Sequence, residues 1–170
     1  KVFAATATKD DLLHPLVVLV DPECRSACEM VTSALQDHDR ALVVGQRTYG
    51  KGSVQAVIDA TVGAWSLLLT IATYRGPRGR SLQSLGVEPD VDLPNPPGTV
   101  AGSGREADLP TALHADSRVP AHKSAQHTAA RQACVAERAK LVAPWRTKLG
   151  KADPWLLVAA DWAACLRDAK

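Results

Sequence analysis

Aromatic side chains are scarce in this chain, at 4% of its 170 residues, so a base-stacking platform for single-stranded nucleic acid is poorly supplied. An excess of either charge is also lacking. Lys and Arg total 20 against 18 Asp and Glu, a formal net charge of +2, which gives no global attraction to nucleic acid or to an acidic membrane surface. Nucleic-acid partners are discounted on both grounds. No apolar run approaches the roughly 20 residues of a membrane span, and the basic-apolar-small pattern of a secretory leader is missing at Lys1. Four cysteines, at positions 24, 28, 134 and 165, are too few for a disulfide scaffold, and their spacing fits no strong metal pattern.

What is present is enough for one sizeable core. Hydrophobic residues make up 46% of the chain, and the length favours a single domain whose interior alanine and valine must fill. The abrupt opening at Lys1-Val2-Phe3, without an initiator methionine, reads as a fragment or a mature product. Val2 to Thr8 reads as a short strand. The run Leu16-Val17-Val18-Leu19-Val20, bounded by Pro15 and by Asp21-Pro22, predicts a strand covered on both faces, as in a parallel sheet. From Ser26 to Asp37 the apolar positions Ala27, Met30, Val31, Ala34 and Leu35 recur at helical spacing, with polar Glu29, Thr32, Ser33 and Gln36 between them. Ala41 to Val44, closed by Gly45, predicts a second strand. Together these form a βαβ unit with parallel strands, which puts the start of its helix at the carboxyl edge of the sheet, where open α/β folds bind ligands.

A hairpin is predicted next, from Ser53-Val54-Gln55-Ala56-Val57-Ile58 through a turn near Val62-Gly63 to the segment Trp65–Tyr74. Arg75-Gly76-Pro77-Arg78-Gly79-Arg80 lacks the glycine spacing and Lys-Ser or Lys-Thr pair of a phosphate-binding loop, and reads as a plain basic turn. Beyond Asp90 the composition shifts. Pro94, Pro96, Pro97, Gly98, Gly102 and Gly104 read as a linker, and residues 105–125, rich in alanine and polar groups, read as partly disordered. A helix is expected over Ala129–Val142. A second starts at Asp153-Pro154, with aspartate as N-cap and proline in the first turn, and its stripe of Trp155, Leu156, Ala159, Trp162, Ala163 and Leu166 reads as a packing face.

The residues that carry chemistry lie between Cys24 and Gln55. Ser26 stands where the first helix begins. Lys51 lies between two glycines at the entry to the hairpin's first strand, and strand alternation would put Gln55 on the same face. A serine hydroxyl is a weak nucleophile until a base takes its proton, and a lysine is such a base only when neutral, which burial and a nearby helix N-terminus favour. The same helix end favours an oxyanion, and the backbone N–H of Ala27 is placed to donate to it. Gln55 would hold the lysine amine in line. The competing reading is plain: a serine at a helix start is usually a cap, and a lysine beside glycines is usually a solvated turn.

The wording of the sequence bears on that choice. Pro15 to Asp21, Ser26-Ala27-Cys28-Glu29, Ala34 to Asp37, Arg40 to Gly45, Thr48-Tyr49-Gly50-Lys51-Gly52-Ser53-Val54-Gln55, Gly79-Arg80-Ser81-Leu82-Gln83 and Gly86-Val87-Glu88-Pro89-Asp90 together resemble the carboxy-terminal processing peptidases, S41-type serine peptidases also called tail-specific proteases. The resemblance runs over about residues 15–93. It implies a ClpP/crotonase-like α/β fold, a mixed sheet with a βαβ unit and following hairpin, here with a C-terminal helical tail. It implies Ser26 as nucleophile, Lys51 as general base and Gln55 as the residue that orients it. The 25 residues that separate Ser26 from Lys51 agree with the family pattern. A serine endopeptidase acting on the C-terminal tails of protein or peptide substrates is then expected, with no metal or organic cofactor, in an extracytoplasmic, periplasmic setting. An upstream PDZ domain and a further oxyanion donor belong to the family pattern and are not recognisable in this sequence.

The domain reading is accordingly residues 1–93 as the C-terminal part of a catalytic domain, 94–128 as linker or insertion, and 129–170 as a helical tail packing on it. Departures cluster around the nucleophile, where Cys24, Arg25 and Cys28 replace small residues and serines. A bulky cation there would alter substrate access. A Cys24–Cys28 disulfide is geometrically demanding at four-residue spacing, a Cys134–Cys165 staple between the tail helices is more attractive, and a cysteine nucleophile is a further alternative. Five histidines, at 14, 38, 114, 122 and 127, read as surface residues, and Glu29 and Asp37 as structural or helix-surface carboxylates. Two other classes stay open: a non-catalytic peptide-binding or scaffold protein on the same fold, and an acyl-transfer or hydratase enzyme, for which no acyl-CoA pocket signature is visible.

Overall fold

The computed structural model describes residues 4, 6–11, 14–59, 63–93, 102, 104–115, 119–120, 129, 132–134 and 154–168. Its elements in chain order are strand β1 (Val17–Val20), helix α1 (Ala27–Asp37), strands β2 (Leu42–Gly45), β3 (Ser53–Asp59), β4 (Ser66–Thr73) and β5 (Val91–Asp92), a 3-10 turn (Glu106–Asp108) and helix α2 (Pro154–Asp168). β1 and β2 pair in parallel from Val17↔Leu42 to Val20↔Gly45. The βαβ unit is therefore present, and the apolar runs that predict it form its strands. β5 adds to β2, also in parallel, through Val44↔Val91. Only two residues long, it carries no periodic signal, and the sequence reading misses it.

β3 and β4 form a separate antiparallel hairpin, paired from Ser53↔Thr73 to Asp59↔Ser66 with an irregularity between Val54 and Gln55. Its apolar side chains, among them Val57, Leu68 and Ile71, are exposed. The core lies instead between the three-stranded sheet and α2. Leu42, Val44, Val91 and Leu93 pack there against Trp162, Cys165 and Cys134, with Trp155 and Leu166 partly buried beside them. The predicted stripe of α2 is thus its packing face, apart from Leu156, which is exposed. Val20, Cys24 and Val43 make a smaller cluster.

α1 inverts the usual amphipathic rule. Its buried residues are Glu29, Thr32, Ser33, Gln36 and Asp37, whereas Met30 and Val31 of the apolar stripe are 46% and 60% exposed. The polar face is inward because it serves buried hydrogen bonds. The Gln36 amide donates to the Glu88 carbonyl (2.8 Å) and to Asp90 Oδ1 (3.1 Å). Asp90 Oδ2 accepts from the Val43 N–H at 2.8 Å, and Arg80, also buried, donates to the Gly86 carbonyl at 3.3 Å. Residues 79–90, which predict only a turn and a motif, are the strap that closes this network.

The expectation of disorder from residue 105 is corrected over residues 105–113. The Glu106 N–H donates to the Tyr49 carbonyl (3.1 Å), Arg105 Nη2 to the carbonyls of Ser84 (3.0 Å) and Leu85 (2.9 Å), and the Ser84 hydroxyl to the Leu113 carbonyl (2.7 Å). Low local hydrophobicity hides such a segment, because backbone and polar bonds rather than apolar burial hold it. Both disulfides form, Cys134–Cys165 and Cys24–Cys28. The second corrects the sequence-based preference against it. The turn before α1 and the first helical turn bring the two Cα atoms to 5.5 Å, inside the range that a disulfide spans. Ala4 and residues 6–8, within the expected strand Val2–Thr8, are not extended in a sheet. Of the helix expected over Ala129–Val142, Ala129 and residues 132–134 are helical, and its remainder lies outside the described residues.

Candidate active site

The turn between β1 and α1 is built by Asp21. Its Oδ1 accepts from the N–H groups of Glu23 (2.9 Å) and Cys24 (3.1 Å), an Asx-type turn that reverses the chain at the sheet's carboxyl edge. Ser26 follows as the N-cap residue of α1 with φ 54° and ψ −113°. A non-glycine residue at positive φ is uncommon and costs of order 1–3 kcal/mol, and a sharp strained strand-to-helix turn is how hydrolases of another fold present a nucleophilic serine. Ser26 and Glu29 form a capping box at this start: the serine side chain faces the Glu29 backbone N–H, and the Glu29 carboxylate accepts from the Ser26 N–H at 3.0 Å. The Ala27 N–H, at the first helical position, has no hydrogen-bond partner among the described residues and remains an open donor at the positive end of the helix.

Glu29 ties this turn to the lysine loop. Fully buried, its carboxylate accepts four bonds. Oε2 takes the N–H of Ser26 at 3.0 Å and the N–H of Lys51 at 2.8 Å, while Oε1 takes the N–H of Gly50 at 2.7 Å and the hydroxyl of Thr48 at 2.5 Å. One oxygen therefore holds the main chains of Ser26 and Lys51 together, although 25 residues separate them in sequence. A second tie runs from the Tyr49 N–H to the Cys24 carbonyl at 3.1 Å. The sequence reading places Glu29 among structural carboxylates without seeing this role. The signal available was its position three residues into the helix, from which a carboxylate reaches back to the N-cap amide.

The glycines around Lys51 have separate physical reasons. Gly50 has φ +99°, a conformation side chains rarely adopt. At Gly52 a Cβ would lie 2.4 Å from the Gln83 nitrogen, so the loop runs directly against the strap. Gln83 Oε1 accepts the Gly52 N–H at 2.9 Å, and its amide donates to Glu106 Oε1 at 3.0 Å. From the end of β4, Tyr74 grips the same loop. Its N–H donates to the Gly52 carbonyl at 3.0 Å, and its phenol donates to the Lys51 carbonyl. Burial is the main cause that raises the Tyr74 pKa above its ordinary value, with the Ser26 side chain opposing it and Glu29 and Glu106 adding to it. The sequence reading does not single out Tyr74.

Lys51 itself is half-buried and precedes β3, so strand alternation does not reach it; Gln55 lies on β3 and is exposed. Among the described residues no hydrogen bond joins the Gln55 amide to Lys51. Ser26, Ala27 and the Lys51 main chain are thus brought to one place, and Gln55 stands apart. The Arg25 guanidinium lies 4.1 Å from the Tyr49 ring centroid and is paired to Glu23 at 2.6 Å. All four cysteines are in disulfides, which removes the free thiol that a cysteine nucleophile needs. His14, His38 and His114 are exposed; His122 and His127 lie outside the described residues. An open cavity of about 560 Å³ borders the turn, lined by Leu19, Val20, Cys24, Cys28, Trp155 and Leu156 among others.

Residues 2–93, more than half of the chain, match the family model of peptidase family S41. The chain belongs to peptidase family S41. The S41 region is 40% identical over 92 residues to a chloroplastic C-terminal processing peptidase of Tetradesmus obliquus, a match that covers 54% of this chain and 20% of that protein. It is 41% identical over 95 residues to a carboxyl-terminal-processing protease of Picosynechococcus, covering 56% of this chain and 23% of the relative. Among solved structures, a photosystem II D1 C-terminal processing protease matches with 44% identity and a TM-score of 0.45, covering 46% of this chain and 20% of that one. This S41 chain spans about a fifth of the length of the curated relatives it matches.

Proposed function

We propose that the chain carries the nucleophile and general base of a serine endopeptidase that cleaves near the C-terminus of unfolded or tail-exposed proteins. The observation that carries this reading is the shared oxygen of Glu29, which joins the Ser26 and Lys51 amides. The open Ala27 N–H at the start of α1 supports it. In the proposed reaction, Ser26 Oγ attacks the scissile carbonyl carbon as its proton passes to a neutral Lys51 amine. The carbonyl oxygen becomes an oxyanion facing the Ala27 N–H, where a preorganised donor is worth most. Collapse breaks the C–N bond, Lys51 returns the proton to the leaving amine, and an acyl-enzyme remains. Lys51 then takes a proton from water, which attacks the ester and frees Ser26.

Gln55 is assigned the orienting bond to the Lys51 amine, and the open cavity beside the turn is available to an apolar substrate side chain. An upstream PDZ domain is the expected partner for substrate tails. The two disulfides support an extracytoplasmic, periplasmic setting, because such bonds persist where thiols are not kept reduced. The test is cleavage of an unfolded reporter with an apolar C-terminus by the full-length protein and its Ser26→Ala and Lys51→Ala variants. Each substitution is expected to lower kcat by about a thousandfold or more. Undiminished cutting without Ser26 would overturn the mechanism, and a folded wild-type protein that binds the tail but never cuts would establish the scaffold reading.

A further inference from the structure

Ser26 sits inside a covalent ring. Only Arg25, Ser26 and Ala27 lie between Cys24 and Cys28, which the disulfide joins with their Cα atoms 5.5 Å apart. Both ends of that ring are held by other bonds. The Cys24 N–H donates to the Asp21 carbonyl and to Asp21 Oδ1, each at 3.1 Å, and the Cys24 carbonyl accepts from the Tyr49 N–H at 3.1 Å. Cys24 therefore belongs to the turn after β1 and to the approach of the lysine loop. Cys28 belongs to the first turn of α1, its N–H donating to the Arg25 carbonyl at 3.2 Å. The bridge thus ties the helix start to a fixed point outside the helix, across the residue whose backbone is at φ 54°. The two disulfides differ in access. Cys134 and Cys165 are 3% and 7% exposed, whereas Cys28 is exposed and, with Cys24, lines the open cavity beside the turn.

We propose that the Cys24–Cys28 disulfide is a positioning bridge for the Ser26 nucleophile and the Ala27 oxyanion donor, and that its reduction by a dithiol slows acylation reversibly. The proposal rests on the serine-lysine reading. A non-glycine residue keeps a positive φ only where its surroundings over-determine it. Glu29 fixes the Ser26 amide on one side, and the bridge fixes the span across residues 25–27. Opening the bridge leaves those hydrogen bonds but removes the covalent constraint. Ser26 then relaxes towards an ordinary φ, which turns its hydroxyl and the Ala27 N–H away from the geometry that an attacked carbonyl requires. Exposed disulfides are the labile ones, and the exchange balances with the dithiol alone. One thiolate of the dithiol attacks the Cys28 sulfur, the S–S bond breaks and Cys24 leaves as a thiolate. The second thiolate attacks the mixed disulfide and releases Cys28. Two electrons pass to the bridge, the two protons lost by the dithiol end on the two cysteines, and the reductant becomes a disulfide.

The experiment titrates the oxidised full-length protein with dithiothreitol, locates free thiols by alkylation and peptide mass, and follows kcat, KM and the rate of acylation by a small fluorophosphonate. Opening of Cys24–Cys28 is expected to lower kcat and the fluorophosphonate rate together by about tenfold, with KM within about twofold, and reoxidation to restore both. Repeating the titration in Cys134→Ser/Cys165→Ser assigns the effect to the bridge beside Ser26. Cys24→Ser/Cys28→Ser should match the reduced protein and no longer respond to dithiothreitol. Undiminished kcat after opening, with Ser26→Ala dead, would overturn the proposal while leaving the serine-lysine reading intact. KM rising at unchanged kcat would make the bridge a wall of the substrate cavity, and a loss of activity that only follows a fall in Tm to the assay temperature would make it a structural support. Either result overturns the positioning role, as would free thiols at Cys24 and Cys28 in the oxidised protein. An active Ser26→Ala variant would defeat the underlying reading and with it this one.

Discussion

At the scale of single residues, Glu29 is where the sequence and the fold meet most closely. Its four acceptor bonds are charge-assisted and shielded from water, which roughly doubles the strength of each relative to a neutral bond. Replacing it by glutamine keeps the shape but turns one acceptor oxygen into a donor that faces the backbone N–H groups. Glu29→Gln is therefore expected to destabilise the protein by about 2–4 kcal/mol, the cost of leaving one or two buried donors unpaired, and to lose cleavage as Ser26 and Lys51 separate. Urea unfolding reads the first effect, and an unchanged midpoint would mean that the carboxylate does not anchor the loop. Ser26, Lys51 and Ala27 were legible as candidates because helix starts and glycine-flanked loops leave marks in a sequence. Tyr74 was not legible, since a lone tyrosine at a strand end carries no pattern, and its importance arises from what folds against it.

At the scale of elements, the lysine loop is confined on three sides: by Glu29 from α1, by Tyr74 from β4, and by Gln83 from the strap. The tight approach at Gly52, where a Cβ would stand 2.4 Å from Gln83 nitrogen, leaves no room to relax because backbone rather than a flexible side chain is in the way. Gly52→Ala is expected to cost about 1–3 kcal/mol, as overpacking does, and to lower cleavage by displacing the amine of Lys51. Thermal unfolding together with reporter cleavage checks this; an active variant with wild-type Tm would show that the strap yields. α1 illustrates what pattern reading misses at this scale. Helical period was visible in Ala27, Met30, Val31, Ala34 and Leu35, but the face turned inward is the polar one, because Gln36 and Glu29 have buried partners more than 15 residues away in sequence.

At the scale of the whole molecule, α2 joins the sheet through the Leu42, Val44, Val91 and Trp162 core and through Cys134–Cys165. That bridge spans a sequence separation of 31, and restricting such a loop in the unfolded chain is worth about 3–4 kcal/mol. Replacing both cysteines by serine should lower stability by about this amount in denaturant unfolding. Cleavage at temperatures well below the unfolding transition should persist, since among the described residues no hydrogen bond joins the tail near the bridge to Ser26 or Lys51. A stability loss of less than about 1 kcal/mol would mean that apolar packing alone holds α2.

The sequence by itself determined the local parts: the β-branched runs of the parallel pair, the hairpin, the proline-led start of α2, and the family to which residues 2–93 belong. Each of these depends on neighbours a few residues apart, whose periodicity and turn chemistry are written consecutively. The tertiary structure alone decided which face of α1 is buried, that residues 105–113 brace the strap, that the cysteines beside Ser26 pair, and that Glu29 joins the turn of the nucleophile to the lysine loop. Those outcomes depend on hydrogen bonds between segments distant in sequence. A buried donor must find an acceptor wherever the fold provides one, and no local pattern records where that will be.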